Sequence, residues 1–103
     1  MKKHKIKIDV EALHDIQEAT DWYIMQSDNL GNRFQKQVKL QIDNLEKNAF
    51  TFGIRYANVR CMLIKKFPFL VHFTIDEVNN TVNIFALLHT SRIPEIWKTR
   101  RKD

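Results

Sequence analysis

The feature that most constrains this fold is a switch of hydrophobic period along the chain, from alternation to helical spacing and back. From Lys3 to Val10, Lys3, Lys5, Lys7 and Asp9 fall on one side and His4, Ile6, Ile8 and Val10 on the other, as a half-buried strand requires. Ala12, Ile16, Ala19 and Tyr23 then recur at helical spacing, with Asp9 placed to cap the helix and Glu11 in its first turn. This helix is predicted to end near Ser27. After Asp28-Asn29, a second apolar stripe runs through Leu30, Phe34, Val38, Ile42 and Leu45, while Arg33, Lys36, Lys39 and Lys47 lie largely off it. The two stripes predict a helical hairpin.

Periodicity fails between Asn48 and Gly53, which reads as a loop anchored by Phe50 and Phe52. Strands rich in β-branched and aromatic residues are predicted over 56–64, 67–75 and 81–88, with turn chemistry at Asp76-Glu77-Val78-Asn79-Asn80. The last two carry apolar residues on both faces, as central strands do. The expected class is therefore α+β: an N-terminal strand, an α-helical hairpin, then a three-stranded antiparallel meander, forming one sheet with the helices on one face. Residues 1–103 make a single domain, with 98–103 a basic tail expected to fray.

The chain has 103 residues, enough for one core without covalent staples. Seventeen Lys and Arg against twelve Asp and Glu give a net charge of +5, which suits an anionic partner: nucleic acid, an acidic protein or a phosphate. Cys61 is the only cysteine, so neither an intrachain disulfide nor a cysteine-cluster zinc site can form. A reducing, cytoplasmic setting follows as the expectation. The start, Met1-Lys2-Lys3-His4-Lys5, has the charge of a signal peptide but is followed by alternation rather than an apolar block. No apolar run approaches the roughly 20 residues that span a bilayer, so no membrane role is expected.

The residues that could carry chemistry lie late in the chain. The apolar run Val82-Asn83-Ile84-Phe85-Ala86-Leu87-Leu88 leads directly into His89-Thr90-Ser91-Arg92-Ile93-Pro94-Glu95-Ile96-Trp97-Lys98-Thr99-Arg100. With Arg60, Lys65-Lys66 and Phe67-Pro68-Phe69, this ending resembles the RelE/ParE superfamily of type II toxin-antitoxin toxins. ParE-like members often close with an apolar strand followed by His-x-x-Arg-x-Pro-x-x-Trp-x-x-Arg, matched here by His89, Arg92, Pro94, Trp97 and Arg100. The resemblance implies a growth-arresting toxin held by a cognate acidic antitoxin, with no cofactor and no metal.

The resemblance leaves two targets, and a third reading in which the chain is an inactive member of the family kept as a binding partner. In the RelE-like branch it implies metal-independent endoribonuclease action on messenger RNA at the ribosome, through attack of a ribose 2′-hydroxyl on the adjacent phosphate. That reaction needs a proton acceptor, cationic stabilisation and a proton donor. In the ParE-like branch it implies binding to DNA gyrase, and the Phe67-Pro68-Phe69 entry and the Arg-x-Pro-x-x-Trp ending match that branch better. Phe69 departs from the tyrosine found in many relatives.

Candidate catalytic residues are Arg60, Lys65, His89 and Arg92; Arg60, Lys65, Lys66, Arg92 and Arg100 are candidates for binding the target or its phosphates. Phe67, Pro68, Pro94 and Trp97 are assigned to structure, with Trp97 a packing clamp. Each functional assignment has a plainer alternative. Arg60 could pair with an acidic side chain, His89 could be a structural histidine without a carboxylate partner, and Arg92 could bridge to Glu95. His72 and His89 lack a third ligand at metal-like spacing. Cys61, alternating with Val59 and Leu63, reads as core rather than nucleophile.

Overall fold

A computed structural model describes residues 3–92. Strand β1 (Lys5–Ile8) is followed by helix α1 (Val10–Gln26), helix α2 (Asp28–Asn48) and a short 3-10 turn at Ala49–Thr51. Four further strands follow among the described residues: β2 (Ile54–Tyr56), β3 (Val59–Leu63), β4 (Phe69–Asp76) and β5 (Thr81–His89). They form one sheet in the order β1-β5-β4-β3-β2. β1 runs parallel to β5, whereas β2 to β5 pair antiparallel in succession. This is the expected α+β architecture with both helices on one face.

The helical stripes meet as the spacing requires. Ala12, Ala19 and Tyr23 of α1 and Phe34, Val38, Ile42 and Leu45 of α2 are buried together with Met62, Val71, Phe73, Val82 and Ile84 of the sheet. A single residue, Ser27, joins the helices, and its carbonyl accepts from Leu30 N at 3.0 Å and Gly31 N at 3.1 Å. Gly31 allows so sharp a reversal, because a Cβ there would collide with Cγ1 of Ile24. At the hairpin's closed end the core is aromatic: the Phe34 ring lies 5.0 Å from those of Tyr23 and Phe67. Such aromatic pairs each add about 0.5 to 1.5 kcal/mol beyond their burial.

Several expectations need correction. Asp9 stands at the N-cap of α1, but its side chain makes no capping bond, and Val10 opens the helix 65% exposed instead of extending the buried side of β1. The strand expected over 56–64 is broken: Tyr56 pairs with Val59 across a two-residue turn, making β2 and β3 a hairpin. Ala57 in that turn takes φ 47°. Phe52 packs against Phe73 with ring centroids 6.1 Å apart, yet Phe50 stays half-exposed against His4. In β3, Val59 is buried and Cys61 half-buried, but Leu63 is exposed.

The β4–β5 turn lies where the sequence predicts it, between Asp76 and Thr81. Asp76 accepts from Asn79 N at 3.1 Å and from Asn79 Nδ2 at 2.7 Å, and these bonds hold its carboxyl below the usual carboxylate range. Asn80 supplies the left-handed residue, φ 52°, that closes the turn.

Candidate functional site

Register decides which candidate residues meet. Leu63 pairs with Leu70, and Phe69 with His89, so the β3–β4 turn and the exit from β5 lie at the same end of the sheet. Thr90 N donates to the Pro68 carbonyl at 2.9 Å, tying the two segments together. Lys65, Lys66, His89 and Arg92 thus gather at that end, all exposed. Arg60 does not join them. It pairs with Phe73 further along the sheet, its guanidinium donates to the Phe52 carbonyl, and its Cζ sits 5.2 Å from the Phe50 ring centroid. That placement matches a bracing role for Arg60.

The β3–β4 turn displays the lysines by construction. Phe67 N donates to the Ile64 carbonyl at 3.1 Å, closing a four-residue turn whose third residue, Lys66, takes φ 73°. The rings of Phe67 and Phe69 anchor the far side against Phe34 and Tyr23. Two cationic chains at a turn tip, on a fixed aromatic base, suit an anionic surface.

His89 is held by its own loop. Ser91 N donates to its Nδ1 at 3.1 Å, and the Ser91 hydroxyl lies 2.9 Å from the same atom. A backbone N–H can only donate, so Nδ1 carries a lone pair and the ring proton sits on Nε2. In this arrangement His89 presents a hydrogen-bond donor, not a base. Its ring also packs edge-on to Phe69 at 5.5 Å. Pro94, Trp97 and Arg100 lie outside the described residues.

Two carboxylates that the sequence reading missed complete this end. A recess of about 250 Å³ has Asp15 and Glu18 of α1 on one wall, His89 and Arg92 on the other, and Phe69 and Leu87 among its lining. Asp15 Oδ2 accepts from Leu87 N at 3.1 Å, where β5 runs past the end of β1. The only signal in sequence is a pair of acids three apart beside the Ala12–Ala19 stripe, which any solvated helix edge could show.

His72 belongs elsewhere. It is buried on the face of the sheet turned away from α1 and α2, with Nδ1 2.8 Å from the Tyr56 hydroxyl and 3.5 Å from Cys61 Sγ. Burial pushes the Cys61 thiol up to about 11, against a smaller opposing effect of Arg55, so the thiol is protonated at neutral pH and a poor nucleophile. Among the described residues, no group of three His, Cys, Asp or Glu side chains could hold a metal ion.

Two solved structures share this architecture. A chain from the chromosomal ParDE toxin-antitoxin system of P. aeruginosa superposes with a TM-score of 0.73 at 16% identity, covering 84% of this chain and 96% of that one. A chain of the toxin-antitoxin complex RelBE2 from Mycobacterium tuberculosis gives 0.62 at 17% identity, covering 86% and 93%. The fold is thus of the RelE/ParE kind. The family described as ParE toxin of the type II toxin-antitoxin system, parDE, matches residues 6–94, and the chain belongs to it. No curated protein matches its sequence.

Proposed function

We propose that this type II toxin arrests growth in the cytoplasm by binding DNA gyrase, using the cationic end of the sheet formed by Lys65, Lys66, His89 and Arg92. The observation that carries the reading is the ParE toxin match over residues 6–94. The state of His89 supports it over message cleavage. Ribonucleolysis needs a proton acceptor on the 2′-hydroxyl, whereas His89 keeps its Nδ1 lone pair for Ser91 N and offers Nε2–H outward. The donors and cations at His89, Arg92 and the lysine turn suit binding of an anionic surface.

The proposed antitoxin is acidic, with a C-terminal segment that orders as it wraps the basic surface around Lys36, Lys39 and Lys65. The affinity of such a complex falls as salt rises, and apolar anchors retain part of it. The deciding experiment is induced expression in a bacterial host, with DNA supercoiling and transcript integrity followed in one culture. Growth arrest with DNA damage and intact messages is expected. Cleavage of messages within codons, without DNA damage, moves the protein to ribosome-dependent endoribonuclease action.

A further inference from the structure

Strand β5 changes face partway along its length. Val82, Ile84 and then Leu87 point into the core beneath the helices, whereas Phe85, Ala86 and Leu88 belong to the cluster on the opposite side. Two even-numbered residues and an odd one can share a face only if one extra residue lies between them. The ladder shows it: Phe73 pairs with Ile84 and His72 with Ala86, which leaves Phe85 unmatched as a bulge. His89 follows the alternation that Leu87 sets. Its ring therefore comes to the helix side, edge-on to Phe69 at 5.5 Å, and lines the recess beside α1. Without the bulge, the same alternation would send it to the other face.

The bulge re-aims the main chain as well. Before it, the Ile84 carbonyl accepts from Asp9 N at 2.9 Å, and the pairing with β1 ends there, at Ile8 opposite Ile84. From Phe85 to His89, β5 has run past its neighbour on that side. Leu87 N points into the gap, and α1 supplies its acceptor, Oδ2 of Asp15 at 3.1 Å. A main-chain donor left over at a sheet edge needs such a partner, and a carboxylate is a strong one. On the other side of the sheet α2 does the same through Gln41, whose amide meets Leu63 and Lys65 where β3 has outrun β2. Each helix thus grips one of the two strands that deliver the cationic end.

We propose that Asp15 is a positioning residue for that end: by holding Leu87 N it fixes β5 in its bulged register, and so sets His89 and Arg92 beside Lys65 and Lys66. The proposal rests on the reading of this end as the target-binding surface. Asp15 acts through β5 and needs no contact with the target.

The test uses the full chain with Asp15→Ala and Asp15→Asn. Alanine removes the acceptor; asparagine keeps an oxygen for Leu87 N and discards the charge that faces Arg92 across the recess. In Asp15→Ala, amide exchange at Leu87 should rise roughly tenfold as one charge-assisted bond is lost, while Lys65, held by Gln41, keeps its protection. The nuclear Overhauser contact between the His89 and Phe69 rings should weaken, and the inducer needed for growth arrest should increase several-fold. Asp15→Asn should recover the ring contact and the arrest. Unchanged exchange at Leu87 in Asp15→Ala overturns the proposal, as does a loss of arrest that only follows the loss of folded protein in thermal melts. An asparagine variant as impaired as the alanine also overturns it, by assigning the effect to charge. Exchange and ring contact are read without any target, so failure of the gyrase reading leaves these two measurements to decide the positioning by themselves.

Discussion

Gln41 on α2 takes the place of a strand partner for Leu63. Its Nε2 donates to the Leu63 carbonyl at 2.9 Å, and its Oε1 accepts from Lys65 N at 2.8 Å. Those groups point to the side of β3 that β2, paired only as far as Arg60, leaves open. One amide therefore satisfies two main-chain groups and sets where the lysine turn begins, steadied by Gln37 Nε2 at 2.7 Å.

Gln41→Ala should lower stability by about 1 kcal/mol, the net worth of an intramolecular hydrogen bond where water can replace part of it. Gln41→Glu keeps the acceptor for Lys65 N but sets an anionic oxygen against the Leu63 carbonyl, and should be at least as unstable at neutral pH. Urea unfolding measures both. Amide exchange at Lys65 should accelerate in the alanine variant while the β4–β5 ladder stays protected.

Lys66 holds a left-handed backbone, φ 73°, which costs a residue with a Cβ about 1 to 2 kcal/mol. Glycine removes that strain but adds freedom to the unfolded chain, so Lys66→Gly should gain a net of about 0.5 kcal/mol. If the charge serves the target, the more stable variant should be less toxic. Growth assays beside chemical denaturation separate the two, and undiminished toxicity removes Lys66 from the binding surface.

The fold was readable because its signals are periodic. The stripe from Phe34 to Leu45 and the apolar run of β5 each point to one element, and packing agreed with both. The β2–β3 hairpin was not readable, because the positive φ of its two-residue turn falls on Ala57, where glycine or asparagine would have announced it. The site divided along the same line. Lys65, Lys66, His89 and Arg92 sit near strand ends in sequence, whereas Asp15 and Glu18 reach the recess only through the docking of α1 on β5. Arg60 stands apart from the others in the structure, and a strand arginine looks alike in sequence whether it faces a target or braces Phe50 and Phe52.

Cys61 gives a pH dependence of definite sign. Its thiol rises from an ordinary 9.0 to about 11 through burial, so the folded state prefers the protonated form. The stabilisation from this preference is complete below about pH 9 and is lost as pH climbs through the folded value near 11. Thermal melts across this window should show a decline that is smaller in Cys61→Ala. An equal decline in both proteins assigns it to other groups.

The sharpest division lies between the two arginines. Arg60→Ala removes a charged donor from the Phe52 carbonyl and a cation from the Phe50 ring. It should cost about 1.5 to 3 kcal/mol and reduce toxicity only as far as the folded fraction falls. Arg92 is exposed beside the Asp15–Glu18 wall, and Arg92→Ala should leave the melting temperature nearly unchanged while abolishing growth arrest. Arg92→Lys refines the reading: a site needing only positive charge keeps part of its activity, whereas one reading a planar carboxylate or phosphate bidentately loses it. Melts and growth curves of the three variants decide between bracing and binding. If Arg92→Ala melts as low as Arg60→Ala, both arginines belong to the scaffold and the binding surface reduces to the lysine turn.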